Sequence, residues 1–146
     1  MKLPFTLENE TALITGGGTG LGLGMARCFV QAGARVVLVG RREAELAQAT
    51  KELGSAATYV AHDIMRMEPD HTKALFELAE GCAGTPISIL VNNAGIHLKK
   101  TAAETSNEEF EQVLRTHVTA SHALTRTVLP GMRERGRGSI LFTLSM

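Results

Sequence analysis

Ala12-Leu13-Ile14 runs straight into Thr15-Gly16-Gly17-Gly18-Thr19-Gly20-Leu21-Gly22, and beyond it the apolar residues take up helical spacing. A short apolar run that breaks into glycines and then a helix reads as strand, turn and helix. That order aims several backbone N–H groups, at the helix's positive end, toward one point, a geometry that receives a pyrophosphate. The strict G-x-G-x-x-G spacing fits no register. T-G-x-x-x-G-x-G fits with Thr15, Gly16, Gly20 and Gly22. In that register the three glycines serve a tight turn, a close approach to phosphate and tight packing of helix on strand. Gly18, Gly22 and Gly24 satisfy the same spacing, but Gly16 sits right at the strand's end, which favours the first register.

Outward from this stretch, strand-like and helix-like patterns alternate, the signature of an α/β doubly wound parallel sheet. Strands are expected at 11–15, 35–39, 58–61, 87–92 and 139–143, as apolar runs suited to burial on both faces. Leu21, Met25, Cys28, Phe29 and Ala32 keep helical spacing, and Gly33 follows where a helix ends. Leu46–Leu53 forms a second helix closed by Gly54, and Leu75, Leu78, Ala79 and Cys82 mark a third. The longest helix is expected from Ser106 to Leu129, started by a Ser106/Glu109 capping box. Its inward stripe reads Phe110, Val113, Leu114, His117, Ser121, Leu124 and Val128, and Pro130-Gly131 should end or kink it. Right-handed crossovers give strand order 3-2-1-4-5, with a ligand crevice between strands 1 and 4. The glycine turn follows strand 1, and Asn92-Asn93-Ala94-Gly95 ends strand 4.

With 146 residues the chain reads as one dinucleotide-binding domain, 1–146, large enough for a proper core. Fifteen basic and fifteen acidic residues cancel, so no overall field gathers nucleic acid or an anionic membrane. No apolar run approaches a membrane span, and the N-terminus lacks the pattern of a secretory signal. Cys28 and Cys82 stand apart, as expected of reduced thiols in a cytoplasmic protein. The histidines show no metal-ligand spacing, so no metal is expected.

The end of strand 2 bears on cofactor choice. A site for NAD usually places an acid there to accept the ribose 2′-hydroxyl, but this chain has Gly40-Arg41-Arg42. A guanidinium beside the 2′-position suits a phosphate, which favours NADP(H) over NAD(H), with Arg41 the better candidate. The plainer reading makes both arginines the solvated start of the second helix. Asp63, after strand 3, is by itself a common turn residue.

Taken together, the T-G-x-x-x-G-x-G turn and Asn92-Asn93-Ala94-Gly95 resemble the short-chain dehydrogenase/reductase family. The resemblance implies a Rossmann-type fold and reversible hydride transfer between a nicotinamide and a small carbonyl or secondary alcohol. It implies cofactor contacts from Thr15, Gly16, Gly18, Thr19, Gly20, Leu21 and Gly22, and from Arg41 and Arg42. Asp63 and Ile64 would meet the adenine, and Asn93, Ala94 and Gly95 would lie along the cofactor, with Asn92 chiefly structural. Ser145 aligns with the family's carbonyl-polarising serine. His117 stands where the family usually has an asparagine that holds a relay water. A core histidine with a backbone partner is the competing reading there.

The family's Tyr-x-x-x-Lys is missing: the single tyrosine, Tyr59, falls in strand 3. The chain therefore reads as a C-terminally incomplete cofactor-binding portion, inactive alone and homo-oligomeric in its full-length form. A non-catalytic dinucleotide-binding or interaction module is the alternative. An S-adenosylmethionine methyltransferase shares the glycine turn, but it usually wants an acid where Gly40 sits and leaves the Asn-Asn-Ala-Gly unexplained.

Overall fold

The structure, a computed structural model, describes residues 5–143. Five parallel strands, β1 (Thr11–Thr15), β2 (Arg35–Gly40), β3 (Ala57–Ala61), β4 (Ile89–Asn92) and β5 (Ser139–Phe142), form one sheet in the order β3-β2-β1-β4-β5, as expected from the alternation. Strand periodicity divides the core into two layers. Leu13, Val37, Val39 and Leu90 face one side, and Ala12, Ile14, Val36, Leu38, Ile89 and Val91 face the other. Because successive side chains alternate, a continuous apolar strand supplies both layers at once.

Helices α1 (Gly20–Gln31) and α2 (Glu43–Leu53) cover the second layer, bringing Ala26, Leu46 and Ala49. On the first layer lie α3 (Pro69–Ala83) and α5 (Ala120–Glu134), bringing Leu75, Phe76, Ala79, Leu124, Val128 and Met132. Two expected helix faces are corrected. In α1, Leu21 and Cys28 are exposed, and the buried residues are the small Gly22 and Ala26. Small residues let this helix lie close to the sheet, so the larger Met25 and Phe29 pack only partly against the layer. In α3, Leu78 and Cys82 are exposed while Thr72, Phe76 and Ala83 are buried.

The expected single helix from Ser106 is three pieces: α4 (Asn107–Leu114), a π-helical segment (Arg115–Thr119) and α5. The capping box is present: Ser106 accepts from the Glu109 N–H, and the Glu109 side chain bonds back to the Ser106 N–H. A π segment adds a residue to the turn and rotates everything before it relative to everything after it. Ser121, Leu124 and Val128 are therefore buried as the stripe requires, while Phe110, Leu114 and His117 are exposed. Thr116 and Ala120 are buried instead. The helix also continues through Pro130 to Glu134, with Met132 buried beyond the proline.

Candidate cofactor cleft at the sheet's carboxyl edge

A cleft of 460 Å³ opens where the C-terminal ends of all five strands meet the helices. Its floor begins at the glycine turn. Gly16 has φ +65° and Gly20 φ +55°, the left-handed region that side chains rarely adopt. Gly22 has an ordinary φ, but a methyl group there would stand 2.2 Å from the Gly16 carbonyl oxygen. Gly24 shows neither constraint, with nothing within 4 Å of an added carbon. These three geometries match the first glycine register, Gly16, Gly20 and Gly22.

The start of α1 is unlike the other helix starts that follow strands. Like α2 and α3 it has no side-chain cap, but here no acid stands in the first turn. By contrast α2 carries Glu43 and Glu45 there, and α3 carries Asp70. Helix N-termini hold unpaired N–H groups and partial positive charge, so this one is left open to an anion. Gly20 is exposed between two lining residues, Thr19 and Leu21, and space above it is clear. Gly16 and Gly18 line the cleft as well, whereas Gly22 lies buried beneath it.

Thr15 does not face the cleft. It is buried, and its hydroxyl accepts from the Asn93 N–H at 2.9 Å and the Ala94 N–H at 3.0 Å while donating to the Val91 carbonyl at 3.3 Å. The residue read as a cofactor contact is thus a strut between β1 and the segment after β4. Asn93, Ala94 and Gly95 line the cleft. The Asn93 amide is turned into the glycine turn, donating to the Thr15 carbonyl at 3.1 Å. Asn92 is buried, with its amide 3.4 Å from the Thr125 hydroxyl, in keeping with a structural part.

Beyond β2, Arg41 and Arg42 both line the cleft and are exposed. Arg42 pairs with Glu45 at 2.5 Å, which neutralises the one acid of α2 that lines the cleft. Arg41 makes no ion pair among the described residues. Asp63 and Ile64 line the opposite wall, and Asp63 Oδ1 accepts from the Met65 N–H at 3.0 Å, forming the local turn its position also allowed. His62 beside it has a buried Nε2 without a partner. Burial, with Arg66 and His71 nearby, holds its imidazole below the usual histidine range despite the opposing pull of Asp63.

His117 meets one half of the core-histidine reading and not the other. The side chain is exposed rather than in the core, and it does have a backbone partner. Its Nε2 lies 3.0 Å from the Ile96 carbonyl oxygen and 3.2 Å from the Ile96 nitrogen. The ring packs over Gly95 so closely that an added carbon there would be 2.3 Å from Cε1. Ser145 lies outside the described residues. The sequence reading missed Ile96, His97, Gln112, Thr116 and Thr143, all lining the cleft. Ile96 and His97 directly follow the Asn-Asn-Ala-Gly, a signal that was there to use; Gln112 and Thr116 carried none. Among the described residues no group of His, Cys, Asp and Glu is placed to hold a metal, and no helix is long and apolar enough to cross a membrane.

A model of short chain dehydrogenases matches residues 10–146. The chain is 38% identical to a ketoacyl reductase of Nostoc sp., covering 97% of this chain and 49% of that protein. It is 34% identical to an NADP-dependent (R)-specific alcohol dehydrogenase of Lentilactobacillus kefiri, covering 95% of this chain and 55% of that one. A 3-ketoacyl-(acyl-carrier-protein) reductase from Brucella melitensis, solved with NADH, superposes with a TM-score of 0.85 at 37% identity, over 96% of this chain and 59% of its own. The chain thus spans about half the length of the curated relatives it matches.

Proposed function

This chain belongs to the short-chain dehydrogenase family, and on that premise we propose that it forms the cofactor-binding part of an NADP(H)-preferring oxidoreductase acting on a small carbonyl or secondary alcohol. The observation that carries the reading is the uncompensated start of α1 above a turn that only glycine fits, opening on a continuous cleft. These residues fit a dinucleotide. The N–H groups at Gly20–Gly22 bind the pyrophosphate, and Arg41, free of any ion pair among the described residues, takes the adenosine 2′-phosphate. Asp63 and Ile64 border the adenine, and the small Ala94 and Gly95 let the backbone approach a flat ring. A bound nicotinamide supplies the hydride chemistry.

Tyr59 takes no acid/base part in this reading. Its hydroxyl donates to Glu43 at 3.2 Å, that contact raises its pKa, and it does not line the cleft. With the single tyrosine outside the cleft, this chain is expected to bind cofactor without turning over. That same feature favours the second reading, a dinucleotide-binding module without catalysis. Self-association is part of the proposal, because Phe110, Leu114 and Val118 form an exposed apolar row and Leu141 and Phe142 are exposed on the edge strand β5.

Calorimetric titration of NADPH, NADH and S-adenosylmethionine against the chain tests the reading. Saturable binding of NADPH, tighter than NADH, with none of S-adenosylmethionine, is expected. Absence of binding by both nicotinamide cofactors overturns it. NADPH oxidation with a simple ketone by the 146-residue chain contradicts the expectation that it binds without turning over.

A further inference from the structure

Asn93 has two carbonyls on one side of its amide and a hydroxyl on the other. Its Nδ2 lies 3.1 Å from the Thr15 oxygen and 3.5 Å from the Gly16 oxygen. Carbonyl oxygens only accept, so the nitrogen must face them. That leaves Oδ1 pointing away and in need of a donor. The Thr143 hydroxyl stands 3.1 Å from it and donates. Thr143 is held at this distance because its own N–H bonds the Asn92 carbonyl at 3.1 Å, extending the pairing of β4 with β5 by one step.

The other end of the amide touches the part of the turn that matters for an anion. Gly16 is the left-handed residue that opens the turn, and its carbonyl sits under the first turn of α1. A carbon added at Gly22 would meet that carbonyl at 2.2 Å and Asn93 Nδ2 at 2.7 Å, so carbonyl, amide and helix start are in contact. An amide free to rotate would present Oδ1 to the Thr15 and Gly16 carbonyls, three oxygens in repulsive contact, and the turn would have to shift. We propose that Thr143 is a positioning residue for dinucleotide binding: by donating to Asn93 Oδ1 it locks the amide that holds the glycine turn, and with it the N–H groups at the start of α1. The proposal rests on the cofactor reading above and links the end of β5 to the phosphate site across the sheet. Losing an ordinary hydrogen bond shifts the equilibrium between locked and unlocked amide about fivefold, and apparent affinity, which follows the locked fraction, falls by up to that factor.

Thr143→Val keeps the shape and removes the donor, while Thr143→Ser keeps the donor and removes a methyl group. Hydrogen exchange of the Asn93 side-chain amide, read by NMR in the cofactor-free chain, should quicken in the valine variant and stay near the starting value in the serine variant. NADPH affinity should follow, weakened measurably and by up to about fivefold by valine and retained by serine. A packing role for Thr143 predicts the reverse order, because valine fills the space and serine does not. Unchanged exchange and affinity in Thr143→Val, with binding intact in the starting chain, overturns the lock alone. A starting chain that binds neither NADPH nor NADH overturns the cofactor reading and the positioning role with it.

Discussion

Gly22→Ala should be the most damaging single-methyl change in the glycine turn, and Gly24→Ala, two residues on, should be stabilising. The added carbon at Gly22 stands 2.2 Å from the Gly16 oxygen, 2.8 Å from its carbonyl carbon and 2.7 Å from Asn93 Nδ2. A backbone carbonyl cannot step aside without moving the turn, so relief requires α1 to lift from the sheet. Overpacking of this kind costs about 1–3 kcal/mol, which for a domain of this size lowers Tm by roughly 3–10 °C. At Gly24 nothing lies within 4 Å and the backbone is ordinary helix. Alanine there should add about 0.5–1 kcal/mol by restricting the unfolded chain and favouring helix. Gly20 falls between: space is open, but φ is +55°, and a side chain in that region costs about 1–2 kcal/mol. Thermal melts by circular dichroism, paired with NADPH titrations, give both orders. Stability should run Gly24→Ala above the starting chain, then Gly20→Ala, then Gly22→Ala. Affinity should be kept by the first and lost by the last. Equal effects at Gly22 and Gly24, or a Gly22→Ala variant that melts and binds like the starting chain, would refute the steric argument.

Arg41→Ala should weaken NADPH about tenfold, a loss of ~1–2 kcal/mol for an exposed charge-assisted contact, and leave NADH nearly unchanged; parallel titrations show whether it does. His62 carries a pH signature. Its pKa is held below the usual 6.5 in the fold, so the unfolded chain takes the proton first as pH falls. Stability from this residue is present above about pH 6.5 and is lost on acidification, and His62→Gln should flatten the fall in Tm between about pH 7.5 and about pH 5.5. At the far wall, Gly95→Ala should push the exposed His117 ring aside and cost about 0.5–1.5 kcal/mol through its hydrogen bond to Ile96, much of it absent in a His117→Asn background. A double-mutant cycle with no coupling between the two positions contradicts the contact.

The sheet was legible because its signal is short in range. Each of β1, β2 and β4 buries both faces, so apolar runs such as Arg35–Val39 needed no knowledge of what covers them. Helix faces were less legible, since the choice between Leu21 and Gly22 as the buried residue depends on how closely α1 approaches the sheet. The π segment was invisible for a related reason. A stripe drawn at constant period from Phe110 to Val128 has no place for an inserted residue, so its first half came out on the wrong side. In the site, the glycine turn, Arg41 and Asn93-Ala94-Gly95 were readable as local motifs. The struts were not, because Thr15 meets Asn93 across 78 residues and Thr143 meets it across 50.

The structure of the chain crystallised with NADP+ tests the central claim most directly. The account predicts the pyrophosphate within hydrogen-bond reach of the backbone N–H groups of Gly20–Gly22, the 2′-phosphate on the Arg41 guanidinium and the nicotinamide end beside Ala94-Gly95. A dinucleotide bound with its pyrophosphate away from the start of α1, or a cleft left empty at saturating NADP+, would contradict it.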